Sequence, residues 1–484
     1  MNLSGTLSNA LSGLSAVSRI AETVSSNIAN ANTDGYGVRA VQLSNRTVAG
    51  HGSGVQVDGI TRQTDPVLTG NRRLAGAELG QITARADFLA ALERAIGLPD
   101  DPSSLSGQMS GFDAALIQAA SRPDSEARLQ AAVEAARSVA TQLNSVSDQI
   151  QEQRMAADRE IATSVDFINT SLQQIADLNG QMLRIGAGPN DGSPLADHRQ
   201  RLIDGISELI PIREVPRDNG TIALFTPGGA ILLDGTPAKL GFTNAGVIMP
   251  EMNIGAGTLS GLTINGKPVS TSVEKGPIAG GRLAGLFDVR DVQAPELQTR
   301  VDAVARDLVE RFQDPAVDPT LGPGDPGLFT DAGGALVIAD EVGLAGRISL
   351  NALVDPRDGG ALWRLRDGLG AASPGADGDA TLLNALSDAL NSHRLPGSGG
   401  FIVPHSATGI SADLLSGVSV SLFSLETRQS YARAHSEALI GMELENGVDT
   451  DAELQKLLLV EQAFAANARV ISTVDELIQT LLRL

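Results

Sequence analysis

The chain has 484 residues, enough for about three domains at roughly 150 residues each, and at 42% hydrophobic it can bury sizeable cores. A net charge of −21, with lysine only at Lys239, Lys267, Lys275 and Lys456, excludes the clustered positive surface that nucleic acid or an anionic membrane needs. Cysteine is absent, which removes disulfides and thiolate sites, and 3% aromatics leaves most packing to Ala, Leu, Ile and Val.

The stretch from Met1 to Leu14 has no basic start and no apolar core after it, so it does not read as a cleaved signal peptide. No stretch approaches the ~20 apolar residues of a membrane-spanning helix. From Leu3, apolar residues recur in alternating steps of four and three: Leu3, Leu7, Ala10, Leu14, Val17, Ala21, Val24, Ile28 and Ala31. That is a coiled-coil seam. The residues between are mainly Ser, Thr, Asn and Gly, so the helix is predicted to be weak until a partner covers the seam. Asp34-Gly35-Tyr36-Gly37 ends it in a turn.

An extended segment, Gly54 to Ile60, follows. Helical periodicity resumes at Leu79, Ile82, Ala86, Leu89 and Ile96 and stops at Gly97-Leu98-Pro99. Pro123-Asp124-Ser125-Glu126 opens another helix, with a seam from Leu129 to Ile150 that resumes from Ile161 to Ile185 after a polar interruption. The interruption fits either a continuous helix of about 90 Å or a turn between two helices. A short helix closes before Pro211, and Ile212 to Glu274 reads as short β runs between Gly, Pro and Asn. Helix returns from Leu297 to Phe312, a Gly/Pro-rich stretch with short helical pieces follows, and a helical stretch from Val418 to Leu444 leads to the end.

There Leu457, Val460, Phe464, Asn467, Ile471, Val474, Ile478 and Leu481 form a second seam. Its lone polar member, Asn467, fits either a register pin or a half-exposed seam edge. Together with Leu3, Leu7, Leu14, Val17, Val24 and Ile28 these residues are the candidate assembly surface. The predicted fold is mainly α with β-rich insertions, an α+β multidomain chain. Residues 1–33 and 445–484 pair as a terminal coiled coil. Residues 34–211, 275–315 and 416–444 form a helical rod domain, 212–274 an inserted β domain, and 316–415 an outer region.

No catalytic, cofactor or metal site emerges. His51, His198, His393, His405 and His435 are scattered, with no pair at the i, i+4 spacing of a helical zinc site. Asp377-Gly378-Asp379 lacks the ligand series of a calcium loop, Gly228-Gly229 and Gly280-Gly281 are turns, and no Gly-x-Ser-x-Gly elbow occurs.

Leu11-Ser12-Gly13-Leu14-Ser15-Ala16, continuing through Ser26-Asn27-Ile28-Ala29-Asn30-Ala31-Asn32-Thr33-Asp34-Gly35-Tyr36, resembles the N-terminal signature of flagellar rod, hook and hook-associated proteins, with Asp34 where the family commonly has Pro. Gln462-Ala463-Phe464 and Asn467 to Leu477, then Thr480-Leu481-Leu482, resemble the matching C-terminal signature. Inside, Asp197-His198-Arg199-Gln200-Arg201-Leu202, Leu209-Ile210-Pro211 and Gly280 to Leu286 are similar to the hook-associated branch at the hook–filament junction. Val354-Asp355-Pro356-Arg357 and Leu365-Arg366-Asp367-Gly368 add to that likeness.

The resemblance implies a non-enzymatic structural subunit whose terminal helices line an inner tube, with the rod domain and β-rich parts outside. It further implies self-association in a ring, hook protein on one side and a second junction hook-associated protein on the filament side. An export chaperone at the C-terminal helix, and type III export to the extracellular flagellum without a cleaved signal peptide, are also implied. Two rivals remain at this stage. One is a hook or distal-rod protein, which the long helices from Asp124 to Ile185 oppose. The other is a secreted type III effector or adhesin, which would not need both seams.

Overall fold

The computed structural model describes residues 3–33, 35–48, 51–185 and 191–483. Helix α1 (Leu3–Ala29) is followed by strands β1 (Val38–Val48) and β2 (His51–Gln63), which pair antiparallel with bulges between Gln42 and Leu43 and between Asn45 and Thr47. This two-stranded ribbon is far longer than the Gly54–Ile60 segment legible in the sequence, because β1 carries no alternation of apolar residues: its outer half, Gln42 to Thr47, is exposed.

Helix α2 (Pro66–Ile96) starts earlier than its apolar pattern. Asp65 caps it by accepting from the amides of Val67 and Leu68, and Pro66 sits in its first turn. Helix α3 (Leu105–Ser121) had no clear sequence signal, since Gly107, Gly111 and three serines dilute it. It forms because Leu105, Met109, Phe112, Leu116 and Ala119 are wholly buried.

Helix α4 (Glu126–Ile185) is a single helix of 60 residues, about 90 Å long. Pro123 lies before its first turn, not inside it. The polar interruption is Arg154 standing at a core position between Ile150, Ala157 and Ile161. Its guanidinium donates to the carbonyls of Arg290 (3.0 Å), Met249 (3.2 Å) and Met252 (2.8 Å). The stripe therefore never breaks; one of its members is charged and satisfied by backbone.

Helix α5 (Ser193–Leu209) leads to four short antiparallel strands in sequential order, β3 (Arg213–Pro216), β4 (Ile222–Phe225), β5 (Ile231–Asp234) and β6 (Thr236–Pro237). Three more, β7 (Leu240–Gly241), β8 (Thr263–Ile264) and β9 (Lys267–Pro268), form a second sheet. Strands of two to four residues cannot enclose a core of their own. Ile222, Leu224, Leu232, Leu233, Leu240 and Leu262 instead complete the core built on α4. Two asparagines of α4 extend the sheets: Asn169 exchanges both bonds with the backbone of Leu240, and Asn179 does so with Ile222. This segment is thus a facing on the long helix.

Helix α6 (Arg282–Asp288) passes through a π turn (Val289–Gln293) into α7 (Ala294–Phe312). The Gly280 to Leu286 motif is explained here. A Cβ on Gly281 would lie 2.2 Å from the Leu209 carbonyl and one on Gly285 2.8 Å from that of Gln81, so only glycine lets α6 reach α5 and α2. Beyond lie β10 (Phe329–Asp331) paired to β11 (Ile348–Leu350), α8 (Leu344–Arg347), α9 (Trp363–Asp367) and α10 (Thr381–Asn391). Phe112, Phe312 and Phe329, with ring centroids 5.3 to 5.9 Å apart, fasten this region to α3 and α7. Asp302 of α7 holds α8 by accepting from the amides of Gly343 (2.8 Å) and Ala345 (2.9 Å).

Helix α11 (Ala407–Glu445) then runs back along α2, and α12 (Thr450–Arg483) along α1. One 18-residue window within Ala407–Arg483 is, at a mean hydropathy of 1.3, apolar enough to pass for a membrane span by length and composition, which corrects the sequence reading.

Candidate assembly interface

The two terminal seams meet. Asn467 packs over Gly13, where a Cβ would lie 3.0 Å from its side chain, and Asn27 donates to Glu453 at 3.1 Å. Fourteen residues forward along α1 are matched by fourteen back along α12, so the pairing is antiparallel and keeps register throughout. Val17, Val24 and Val474 are buried; Leu3, Leu7, Leu14, Ile28, Val460, Asn467, Ile471 and Ile478 are half-buried. Leu457, Phe464 and Leu481 are exposed. Leu457 and Phe464 lie on the seam's flank, which two helices alone do not close. Leu481, 61% exposed, lies past the position that faces Leu3. Asn467 sends its own amide to Ala463 of the same helix, so what it contributes across the seam is a fit against Gly13.

The small and polar residues of α1, read from sequence as mere helix weakness, form a second contact face. Ala16, Thr23 and Asn27 are buried. The ribbon lies close enough that the Val55 amide donates to the Ser12 hydroxyl at 3.2 Å. At its base Asn27, fully buried, is the hub of a polar clasp. Its amide donates to the Arg39 carbonyl (2.9 Å) and to Glu453, and its oxygen accepts from Tyr36 Oη (2.8 Å) and the Arg39 amide (3.1 Å). All four hydrogen-bonding capacities of that side chain are filled. Asp34, the departure within this signature, lies outside the described residues.

Asp197 of α5 ties this clasp to the helical body. It accepts from Gly37 N (3.1 Å), Arg39 Nη2 (2.9 Å) and Arg62 Nε (2.6 Å), while Arg62 also reaches Gln200. The next residue but one, Arg199, donates to Asn179 (2.9 Å) and to the Gly220 carbonyl (2.8 Å); burial lowers its pKa. The Asp197 to Leu202 motif is therefore a joint. A parallel tie joins α2 to α5 and α11. Arg73 pairs with Asp204 (2.7 Å) and Glu214 (2.8 Å), and Arg72 with Asp204 (2.9 Å) and Glu443. Sequence reasoning found the seams but not these ties, whose members are far apart in the chain.

A cleft of about 450 Å³ between α2, α5 and β3 is lined by Arg62, Arg73 and Arg199, but each guanidinium is already taken up by the partners above. Among the described residues no group of three or more His, Cys, Asp or Glu is placed to hold a metal ion.

Comparison with known proteins adds the following. The family description "Flagellar hook-associated protein FlgK helical domain" matches residues 89–315, "Flagella basal body rod protein" matches 7–36, and "Flagellar basal body rod FlgEFG protein C-terminal" matches 441–484. Flagellar hook-associated protein 1 of Salmonella typhimurium is 30% identical over 247 residues, 49% of this chain and 44% of that protein, so the match spans less than half of the relative's length. The protein of the same name from Bacillus subtilis is 24% identical over 98% of this chain and 97% of its own length. A solved structure described as the flagellar hook junction protein FlgK from Burkholderia pseudomallei is 21% identical, at a TM-score of 0.42 over 54% of this chain and 46% of that one.

Proposed function

We propose that this chain, which belongs to the flagellar hook-associated proteins, is a structural subunit of the junction between hook and filament. The family is one of structural components of the flagellum outside the cell, and not of enzymes. The observation that carries the reading is the antiparallel α1–α12 pair clasped through Asn27 and Asp197 to a helical body. A pair of this kind exposes flanks such as Leu457 and Phe464, which are suited to neighbouring pairs in a ring.

The mechanism is coupled folding. The chain leaves the cell unfolded by type III export, and weak-propensity α1 winds against α12 and neighbouring subunits at the growing tip. The ring then meets hook protein below and a second junction hook-associated protein above, and an export chaperone covers α12 before assembly. The hook or distal-rod alternative is disfavoured by the 60-residue α4, since hook proteins are mainly β outside their terminal helices.

Deleting the gene in its host tests this. Hooks without filaments, with flagellin lost to the medium, are expected under electron microscopy and immunoblot. Missing hooks would shift the chain to the rod or hook, and intact flagella would end the proposal.

A further inference from the structure

Helix α11 has apolar residues on all sides, the composition of a helix covered all round. One side is covered. Leu414, Leu415, Val418, Leu422, Leu425 and Ala432 are buried, and Thr69, Thr83 and Glu93 of α2 bond in even register to Glu443, Gln429 and Ser419. The other side is open. Val420, Phe423, Thr427, Tyr431, Ala438 and Met442 recur in helical steps of three, four and seven along about 33 Å of helix. Phe423 is 72% and Tyr431 78% exposed, in a chain whose aromatics number 11 Phe, 2 Tyr and 1 Trp. From Val420 to Met442 no charged residue stands on this line, whereas the exposed residues of the neighbouring α2 include the charged Glu78, Asp87 and Arg94.

From this geometry we infer that the open face of α11 is a contact between neighbouring copies of this chain. Charge selects the occupant. A chain of net charge −21 repels its own copies over most of its surface, so copies approach best along an uncharged line. A basic partner would gain nothing there, because the line offers no carboxylate to pair with. The face also sits on the helix that leads into α12, so a contact along α11 continues outward from the inner pair. A single helical stripe is a small interface, so it holds only once copies are already aligned by the inner pairs, where local concentration is high. This inference rests on the reading that the chain assembles with itself.

Photo-crosslinking tests it. A benzoylphenylalanine placed at Phe423, at Tyr431 and, as a control, at Glu78 is activated in flagellated cells whose deletion each variant restores. The expected product at 423 and 431, absent at 78, is a covalent dimer of about twice 50.0 kDa whose crosslinked peptides both come from this chain. A product containing any other protein, or none at 423 and 431 in cells that make filaments, overturns the inference. Restoration of filaments by each variant checks the junction reading separately. As a second readout, Phe423→Asp with Tyr431→Asp is expected to cut incorporation at least tenfold while the purified chain keeps its melting temperature; normal incorporation of that folded variant would also overturn it.

Discussion

Asn27 and Asp302 show what single residues decide. Replacing Asn27 by Ala removes four hydrogen bonds at a fully buried position and leaves the Glu453 carboxylate with Lys456 as its remaining partner. We expect Asn27→Ala to cost about 2–4 kcal/mol, seen as faster hydrogen exchange in α1 and the ribbon base; unchanged exchange would mean that the seam alone holds the pair. Asp302 is buried, and desolvation pushes its pKa up to about 6 despite the amides of Ala345 and Gly343. A carboxyl whose folded pKa lies above its unfolded value of 3.8 binds its proton more tightly in the native state. Its contribution to stability is therefore fully present below about pH 4 and falls as pH rises through 6, by about 3 kcal/mol over that window. Asp302→Asn should flatten that part of the stability–pH curve in urea titrations between pH 4 and 7, and an identical slope in both proteins would refute the assignment.

Among the elements, those that read clearly from sequence are those whose own apolar period carries the structure. The α1 and α12 seams, α4 and α7 belong here, and the mainly α class with β-rich insertions follows from them. Those missed are stabilised by something non-local: α3 by the neighbours that bury Phe112 and Leu116, β1 by its partner strand, Arg154 by three distant carbonyls. The clasp was invisible for the same reason, since Asn27 and Glu453 are 426 residues apart. Two predictions belong at this scale. Ile471→Asp places a charge in the seam opposite α1 and is expected to leave the helical body folded but to abolish incorporation into flagella; normal incorporation would sink the coiled-coil mechanism. Ile150→Ala empties a fully buried position in mid-α4 and should lower unfolding free energy by about 2–5 kcal/mol in denaturant melts.

For the whole molecule, charge and connectivity matter together. Raising ionic strength from 0.01 to 0.15 M shortens the screening length from about 30 to 8 Å, so self-association of the purified chain, followed by light scattering, should rise with salt. If association fell instead, ion pairs between copies would outweigh general repulsion. The inner pair and the ribbon beside it are joined to the helical body by two backbone crossings, at 64–65 and 446–449, and both lie near the Asn27 clasp and the Asp197 joint. Mechanically this is a doubly pinned bracket. One crossing alone would be a swivel, free to turn about its own bond axis. Two crossings with an ionic latch between them resist twist, so rotation applied to the helical body is passed to the inner helices as torque.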